Sequence, residues 1–437
     1  MNESITTFDR RKERVQTGVP GLDAVLHGGL LRQAVYMVRG TPGAGKTILS
    51  NQLCFHHAAR GGKVLYVTLL SETHERMLFN IGQLSFFEPT RIPDQIAYLS
   101  AYTVFEQSGL KGLSEMLRRE TRAGDASLLI VDGLVATEES LPSRNDFKKF
   151  VHDMQIHASM QGSTVVLLSS VGAHASGPEH TMVDCVIELR DNRVGKRRER
   201  ELEVTKFRGS DYLPGGHAFG ISARGVTVFP RLESMLRDPD PRELAHPGKL
   251  SMGASSIDGA LHGGLRTGSA TVMFGATGTG KTTLGLQFLG HSSAGEPGLH
   301  FGFYETPERV LQKAATLGLD LRSKVADGSL ALIWHPPTER ELDALGDRLV
   351  KAVRARGVKR LFVDGIDGFA GAAADAGRIP HFFSALTNEL RSHGVTALYS
   401  QELQELVSVE LTLPLHGISA LAENILLVRY AELEARM

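Results

Sequence analysis

The sequence predicts an α/β protein of two tandem domains, each built on a mainly parallel β-sheet flanked by helices. Three observations lead to this fold class. One unit is written twice along the chain, each copy alternates apolar strand-like runs with helical stretches, and each copy places the same glycine-rich motif between a strand and a helix.

The repeat is visible at three points that keep their order. The matching strings are TGVPGLDAVLHGGL (17–30) and MGASSIDGALHGGL (252–265), GTPGAGKT (40–47) and GATGTGKT (275–282), and LLIVDGL (128–134) and RLFVDGI (360–366). Between the copies, residues 232–249 collect prolines and charges and lack an apolar period. The predicted domains are therefore residues 1–235 and 236–437.

Apolar runs predict the strands of both copies. In the first copy they are Ala34–Val38, Val64–Thr68, Leu128–Val131, Val165–Ser169 and Val183–Leu189; in the second they are Ala270–Phe274, Leu299–Tyr304, Leu361–Val363, Val395–Tyr399 and Ile425–Val428. Helical stretches such as Thr47–Ala59 and Asp146–Gln161 separate them. Because the runs are continuously apolar rather than alternating, they favour parallel sheets covered on both faces.

Composition and charge are those of an ordinary globular protein. Of 437 residues, 42% are hydrophobic and 22% are charged, and a net charge of −1 gives no general attraction to nucleic acid or membrane. Cys54 and Cys185 lie in apolar stretches, which excludes a disulfide scaffold and favours a reducing compartment. The N-terminus has no apolar core, and no run approaches about 18 apolar residues. We expect a soluble, cytoplasmic protein with no membrane partner.

The glycine-rich motifs predict two P-loops that bind ATP. Their residues are Gly40, Thr41, Pro42, Gly43, Ala44, Gly45, Lys46 and Thr47 in the first copy, and Gly275, Ala276, Thr277, Gly278, Thr279, Gly280, Lys281, Thr282 and Thr283 in the second. Backbone N–H groups and the helix N-terminus would cradle phosphate oxygens, the lysine would reach the β- and γ-phosphates, and Thr47 and Thr282 would each offer a hydroxyl to Mg²⁺. A chance match occurs in roughly a few per cent of such chains, so two in register exclude chance.

Asp132 and Asp364 each end an apolar strand and are predicted to complete the metal sites. A lone aspartate after a strand is more often a turn former. Since both copies pair it with an upstream P-loop, we interpret these residues as Walker B carboxylates that hold Mg²⁺ directly or through water.

Glu72 and Glu305 follow the second strand of each copy and are predicted to orient or deprotonate the nucleophile at the γ-phosphate. The alternative is an acidic residue favoured at a helix N-terminus. Lys206 and Arg208, on a late strand of the first copy, are predicted to reach ATP in a neighbouring subunit, with a solvated strand face as the alternative.

With these residues identified, the chain resembles the KaiC family of RecA-superfamily ATPases over nearly its whole length. The resemblance depends on the TGVPGLD and LHGGL strings, both P-loops, the Glu-Thr segments, both VDG strands and KFRGSDY. It implies two RecA-like ATPase domains stacked as rings in a homohexamer, ATP between subunits, weak ATPase activity, and Ser/Thr autophosphorylation in the second ring.

Two departures from the family concern the reacting groups. Clock members carry two adjacent glutamates where this chain has Ser71-Glu72 and Tyr304-Glu305. Their phosphoacceptor pair is Ser-Thr, whereas the candidate Ser419 is followed here by Ala420. We therefore expect an altered general base and a single phosphoacceptor.

A third departure concerns the trans-acting strand. Asp184 aligns with Glu423, so the counterpart of Lys206 would fall beyond Met437. We expect the second domain to lack its own Lys/Arg strand.

The leading functional prediction is a hexameric regulator that binds and hydrolyses ATP and has autokinase capacity. A RecA-like DNA recombinase is a second hypothesis, but neither VDG strand is followed by a clearly basic loop, so we expect no nucleic-acid partner. A third is a nucleotide-gated scaffold for protein signalling partners, with little turnover, which Ser71 and Tyr304 in place of paired carboxylates leave open.

Overall fold

The computed structural model describes residues 13–69, 74–134, 144–170, 182–235, 248–336, 341–403 and 422–430. The chain divides into two compact units, unit 1 (Met1–Pro230) and unit 2 (Arg231–Met437). The predicted boundary between residues 235 and 236 borders the segment 236–247, which lies outside the described residues, and its position stays a prediction.

Unit 1 alternates strands and helices along its described residues. Its strands are β1 (Arg14–Val15), β2 (Leu30–Leu31), β3 (Val35–Gly40), β4 (Val64–Thr68), β5 (Ile96–Ser100), β6 (Leu128–Asp132), β7 (Thr164–Ser169), β8 (Cys185–Val194), β9 (Arg197–Phe207), β10 (Gly216–Ser222) and β11 (Gly225–Phe229). Its helices are α1 (Leu22–Val25), α2 (Lys46–Ala59), α3 (His74–Ile81), α4 (Tyr102–Gly124, with non-helical dihedrals at Gly109) and α5 (Arg144–Gln161).

The main sheet of unit 1 has the order β11-β10-β9-β8-β3-β7-β6-β4-β5. The strands from β8 to β5 in this order are parallel, which confirms the mainly parallel sheet. The hairpin of β8 and β9 then adds an antiparallel extension that continues through β10 and β11. This extension begins with the strand that carries Lys206.

Helices cover both faces of the unit 1 sheet. Leu49, Leu53 and Phe55 of α2 join one buried apolar cluster. Leu117 of α4 and Phe150 of α5 join the other. Because both faces are covered, the central strands β3, β4, β6 and β7 are buried at every residue, which explains why their sequences are mostly apolar.

Unit 2 repeats this plan. Its strands are β12 (Lys249–Leu250), β13 (Leu265–Arg266), β14 (Ala270–Gly275), β15 (Gly298–Gly302), β16 (Leu330–Trp334), β17 (Arg360–Asp364), β18 (Thr396–Glu402) and β19 (Asn424–Leu427). Its helices are α6 (Ser255–Ala260), α7 (Lys281–Gly290), α8 (Pro307–Thr316), α9 (Leu321–Ala326), α10 (Leu342–Arg356), α11 (Asp367–Ala370) and α12 (Ile379–Ser392).

The main sheet of unit 2 has the order β16-β15-β17-β18-β14-β19 and is parallel at every described pairing. The predicted strand Leu299–Tyr304 is too long at its C-terminal end, because the chain bends after Gly302 on its way to α8. Within the described residues, unit 2 contains no counterpart of β9 to β11. None of the described helices in either unit is long and apolar enough to cross a bilayer.

One side of the unit 2 sheet is held by a cluster of aromatic rings. Phe369 stacks on Phe301 at a centroid distance of 5.7 Å and meets Phe303 edge-on at 5.2 Å. Phe382 lies 5.5 Å from Phe369, and all four rings are buried. Such rings combine a large buried apolar area with favourable ring contacts. Phe369 therefore joins the sheet to α12.

We expect Phe369→Ala to destabilise unit 2 by about 3–5 kcal/mol, because it opens a cavity among rings that cannot close around it. Trp334 is the only tryptophan and belongs to β16, so its fluorescence during denaturant unfolding reports on unit 2. The control is Leu317→Ala, at a side chain that is 39% exposed, with an expected cost of about 1 kcal/mol or less. Equal shifts in the two variants would contradict this account of the core.

Candidate functional site

The P-loop of unit 1 connects β3 to α2. Gly43 and Gly45 have φ values of 81° and 102°, in the left-handed region that glycine adopts without steric cost. No described atom lies within 4 Å of the position that a Cβ on Gly43 would take, so the loop faces open space there. The Nζ of Lys46 donates to the carbonyl oxygens of Gly40 at 2.6 Å and Thr41 at 3.1 Å. The lysine ammonium group therefore lies across the loop.

The P-loop of unit 2 has the same conformation. Gly278 and Gly280 have φ values of 82° and 98°. The Nζ of Lys281 donates to the carbonyl oxygens of Gly275 at 2.6 Å and Ala276 at 2.7 Å. The P-loop residues predicted from the sequence thus lie at the ends of β3 and β14, in the two loops that follow, or in the first turns of α2 and α7.

Asp132 lies at the end of β6, next to the start of α2. Its Oδ2 accepts hydrogen bonds from the hydroxyls of Thr47 at 3.2 Å and Tyr66 at 2.8 Å. Asp132 is only 5% exposed. Burial raises its pKa, and the hydrogen bonds from Tyr66 and Thr47 and the charge of Lys46 only partly offset that effect.

Asp364 occupies the matching place at the end of β17. Its Oδ2 accepts from the Thr282 hydroxyl at 3.1 Å, and its Oδ1 accepts from the Ser400 hydroxyl at 2.8 Å. The Nε2 of His300 lies 3.9 Å from Oδ2, which is too far for a direct hydrogen bond. Burial opposes ionisation of Asp364, but the imidazole of His300 and the hydroxyls of Ser400 and Thr282 hold its pKa below the ordinary value.

The two sites therefore differ in what supports the aspartate. Tyr66 on β4 pairs with Ile130, and His300 on β15 pairs with Phe362, so the phenol and the imidazole occupy matching positions. The sequence analysis missed Tyr66, His300 and Ser400. A polar side chain inside an otherwise apolar strand was the available clue, because a buried polar group needs a partner.

Glu305 lies in the bend between β15 and α8. Its Oε1 accepts from the Nζ of Lys313 on α8 at 2.6 Å, so the carboxylate is already ion-paired. Its proposed role as general base stays a prediction. Glu72, its counterpart in unit 1, lies outside the described residues.

A further carboxylate, which the sequence analysis also missed, reaches the P-loop of unit 2. Glu402 ends β18 and accepts a hydrogen bond from the hydroxyl of Thr277 in the loop. Burial lowers the pKa of Lys281, while the negative charges of Glu402, Asp364 and Asp367 act in the opposite direction. Lys281 therefore lies among three carboxylates.

Lys206 lies on β9 as predicted, and its Nζ donates to the carbonyl oxygen of Val183 at 2.6 Å. Arg208 lies just beyond the end of β9 rather than on the strand, because the chain turns after Phe207. Its backbone N–H donates to the carbonyl of Asp184 at 2.7 Å. Whether these cations act on a neighbouring subunit stays a prediction.

The predicted correspondence between Asp184 and Glu423 agrees with the structure. Each carboxylate accepts a hydrogen bond from the first part of the P-loop strand, Asp184 from the N–H of Val35 at 2.9 Å and Glu423 from that of Ala270 at 2.7 Å. Ser419, the predicted phosphoacceptor, lies outside the described residues.

Comparison with known proteins agrees with this geometry. A family model described as "ATPase: KaiC" matches residues 15–233 and 250–437. The chain is similar to the circadian clock oscillator proteins KaiC of Picosynechococcus sp. (25% identical, covering 97% of this chain and 84% of the relative) and Nostoc sp. (24%, covering 100% and 85%). That of Parathermosynechococcus lividus is 24% identical, over 97% of this chain and 79% of the relative.

Proposed function

Because the chain belongs to the KaiC family of ATPases, we propose that it is an ATP-driven regulatory protein that binds one Mg²⁺-ATP at each P-loop, hydrolyses ATP and assembles as a homohexamer. One observation carries the proposal, because it recurs in both units. A lysine lies across the loop, and the threonine that follows it donates its hydroxyl to a strand-end aspartate.

The residues present fit ATP and Mg²⁺. Backbone N–H groups of the loops and the N-termini of α2 and α7 favour phosphate oxygens, and Lys46 and Lys281 would add a cation to each. Threonine and aspartate supply the oxygen ligands that Mg²⁺ prefers, and this ion is usually held by one or two carboxylates together with phosphates and water. Bound Mg²⁺ would neutralise charge on the phosphates.

In unit 2 the carboxylate of the candidate general base, Glu305, is held in an ion pair with Lys313. Glu305 would have to leave the ion pair with Lys313 before its carboxylate could accept a proton. Both side chains are partly exposed, so breaking this pair costs about 1 kcal/mol or less. An ion pair of this strength would slow proton transfer to Glu305 by less than about tenfold.

A trans-acting role for Lys206 is supported by its place in unit 1. The strand β9 belongs to the antiparallel extension of the sheet, and its register changes between Val186 and Ile187. Such bulges redirect the side chains that follow. Lys206, paired with Val186, is positioned by this irregularity and would complete the ATP site of an adjacent subunit.

We expect the wild-type chain to bind two nucleotides and Lys46→Ala and Lys281→Ala each to bind one, since each lysine is the main cation on one pair of phosphates. Isothermal titration with an ATP analogue measures the stoichiometry. Lys63→Ala, at an exposed lysine outside both loops, is the control and should still bind two. A stoichiometry of two in both P-loop variants would exclude two separate sites.

Ring assembly should depend on ATP in unit 1, because its described residues include both a P-loop and the strand with Lys206. In analytical ultracentrifugation with ATP, Lys46→Ala and Lys206→Ala should shift the hexamer toward smaller species. Lys281→Ala and Lys196→Ala, the second at an exposed lysine on the hairpin turn, should assemble normally. Loss of the hexamer in Lys281→Ala alone would assign assembly to unit 2 instead.

We also propose slow autophosphorylation at Ser419, the serine at the phosphoacceptor position that the resemblance to the clock members of the family implies. With Ala420 beside it, only one phosphate can be added, so an ordered two-site cycle is excluded. Mass spectrometry after long incubation with Mg²⁺-ATP should find phosphate on Ser419, reduced in Glu305→Gln and absent in Lys281→Ala. An unmodified serine in a preparation that hydrolyses ATP would leave ATPase activity alone.

A further inference from the structure

Unit 1 has a cavity far from its P-loop, between the C-terminal ends of α4 and α5. These helices precede β6 and β7, so the cavity lies at the edge where those strands begin, whereas the P-loop lies where β3 ends. Its volume is about 630 Å³, within the range of small-molecule sites. Ile156 and Met160 contribute apolar walls and are 40% and 78% exposed.

The cavity is rimmed by three arginines of α4. Arg118 pairs with Asp153 at 3.2 Å, and Arg119 pairs with its neighbour Glu120 at 2.8 Å. Arg122 has no carboxylate partner among the described residues. With the Gln161 amide oxygen turned toward it, Arg122 donates two hydrogen bonds of 3.2 Å to that oxygen. One guanidinium group is therefore not neutralised.

A buried histidine lines the same cavity. His157 is only 2% exposed, and neither of its ring nitrogens has a hydrogen-bond partner in the part of the chain that the structure describes. Burial and the charges of Arg118 and Arg122 lower its pKa, which favours the neutral ring, a form that carries one N–H donor. A buried polar group without a partner is costly, which favours a ligand that supplies one.

The matching positions of unit 2 indicate which chemical group would be a partner for Arg122 and His157. The strands that follow the two helices pair in the same register, Leu128 with Thr164 and Arg360 with Thr396. Positions 122, 157 and 161 of unit 1 therefore correspond to 354, 389 and 393 of unit 2.

At these positions of unit 2 the chain supplies its own anion. Glu389 accepts from the guanidinium of Arg354 at 2.5 Å, and the Nε2 of His393 lies 3.0 Å from the same oxygen. In unit 1 the arginine remains as Arg122, but the carboxylate is replaced by His157. Unit 2 thus has a carboxylate, that of Glu389, beside its arginine, whereas the matching position of unit 1 has no negatively charged side chain.

We propose that the cavity between α4 and α5 binds a small organic anion with an apolar body, whose carboxylate, sulfonate or phosphate takes the place that Glu389 occupies in unit 2. Arg122 and the N–H of His157 bind the anionic group, and Ile156 and Met160 contact the apolar body. An inorganic anion would fill only a small part of the volume, so the apolar body contributes to binding.

The test uses 8-anilinonaphthalene-1-sulfonate, an aromatic sulfonate whose fluorescence rises in apolar sites. The full chain is first saturated with Mg²⁺-ADP to keep the dye out of the P-loops. N-phenyl-1-naphthylamine, the same aromatic frame without the sulfonate, is the matched probe. We expect the sulfonate to bind at least about tenfold more tightly than the uncharged compound, because it gains charge-assisted hydrogen bonds.

The variants separate this site from general dye binding. Arg122→Gln and His157→Glu, the second of which restores the carboxylate of unit 2, should each weaken sulfonate binding by about tenfold or more. Arg354→Gln changes the paired arginine of unit 2 and should leave it unchanged. Arg122 is exposed, so its variant tests the site even if His157→Glu does not fold. Equal binding of the two dyes, or equal loss in Arg354→Gln and Arg122→Gln, would overturn the proposal.

Discussion

A polar side chain is costly inside a strand that is buried on both faces unless it has a hydrogen-bond partner, whereas at the end of the strand it can reach neighbouring loops and helix starts. This constraint determines where the chemistry of both units lies. Because neighbouring strands are parallel, their C-terminal ends meet at one edge, and Asp132, Asp364 and Glu402 are all strand-end residues. The P-loop strands end at the same edge, which brings Thr47 and Thr282 to the aspartates. The nucleotide sites are thus a consequence of how the sheets are covered.

The same constraint explains how the two sites came to differ. A polar residue inside a strand needs a hydrogen-bond partner, and the hydroxyl of Tyr66 donates to the strand-end aspartate Asp132. His300, at the matching position, lies 3.9 Å from Asp364, and the hydroxyl of Ser400 makes the hydrogen bond instead. With Glu402 also at the loop, a nucleotide entering unit 2 meets more negative charge and depends more on a neutralising cation.

Much of this could be predicted from the sequence. The repeat, the continuous apolar runs and the glycine-rich motifs gave the fold class, and the strand Val64–Thr68 has the predicted bounds. The contact of Glu402 with Thr277 could not be predicted, because 125 positions separate the two residues along the chain. The ion pair of Glu305 with Lys313 could not be predicted either, because it depends on how the chain bends between β15 and α8. Apolar runs indicate that a strand is buried but not which way an isolated polar side chain points.

Because the chain contains two copies of one fold, each residue of one unit can be compared with the residue at the matching position of the other. The cores can be compared strand by strand, so a difference in polar residues at matching positions is not a by-product of a different fold. Glu389 compensates Arg354 inside unit 2, whereas His157 leaves Arg122 uncompensated at the same place in unit 1. Either arrangement, an arginine paired with glutamate or an arginine beside histidine, is compatible with the fold, since most of the stability comes from the buried apolar strands. The polar differences between the copies therefore lie both inside matching strands, as at Tyr66 and His300, and near matching helix ends, as at His157 and Glu389.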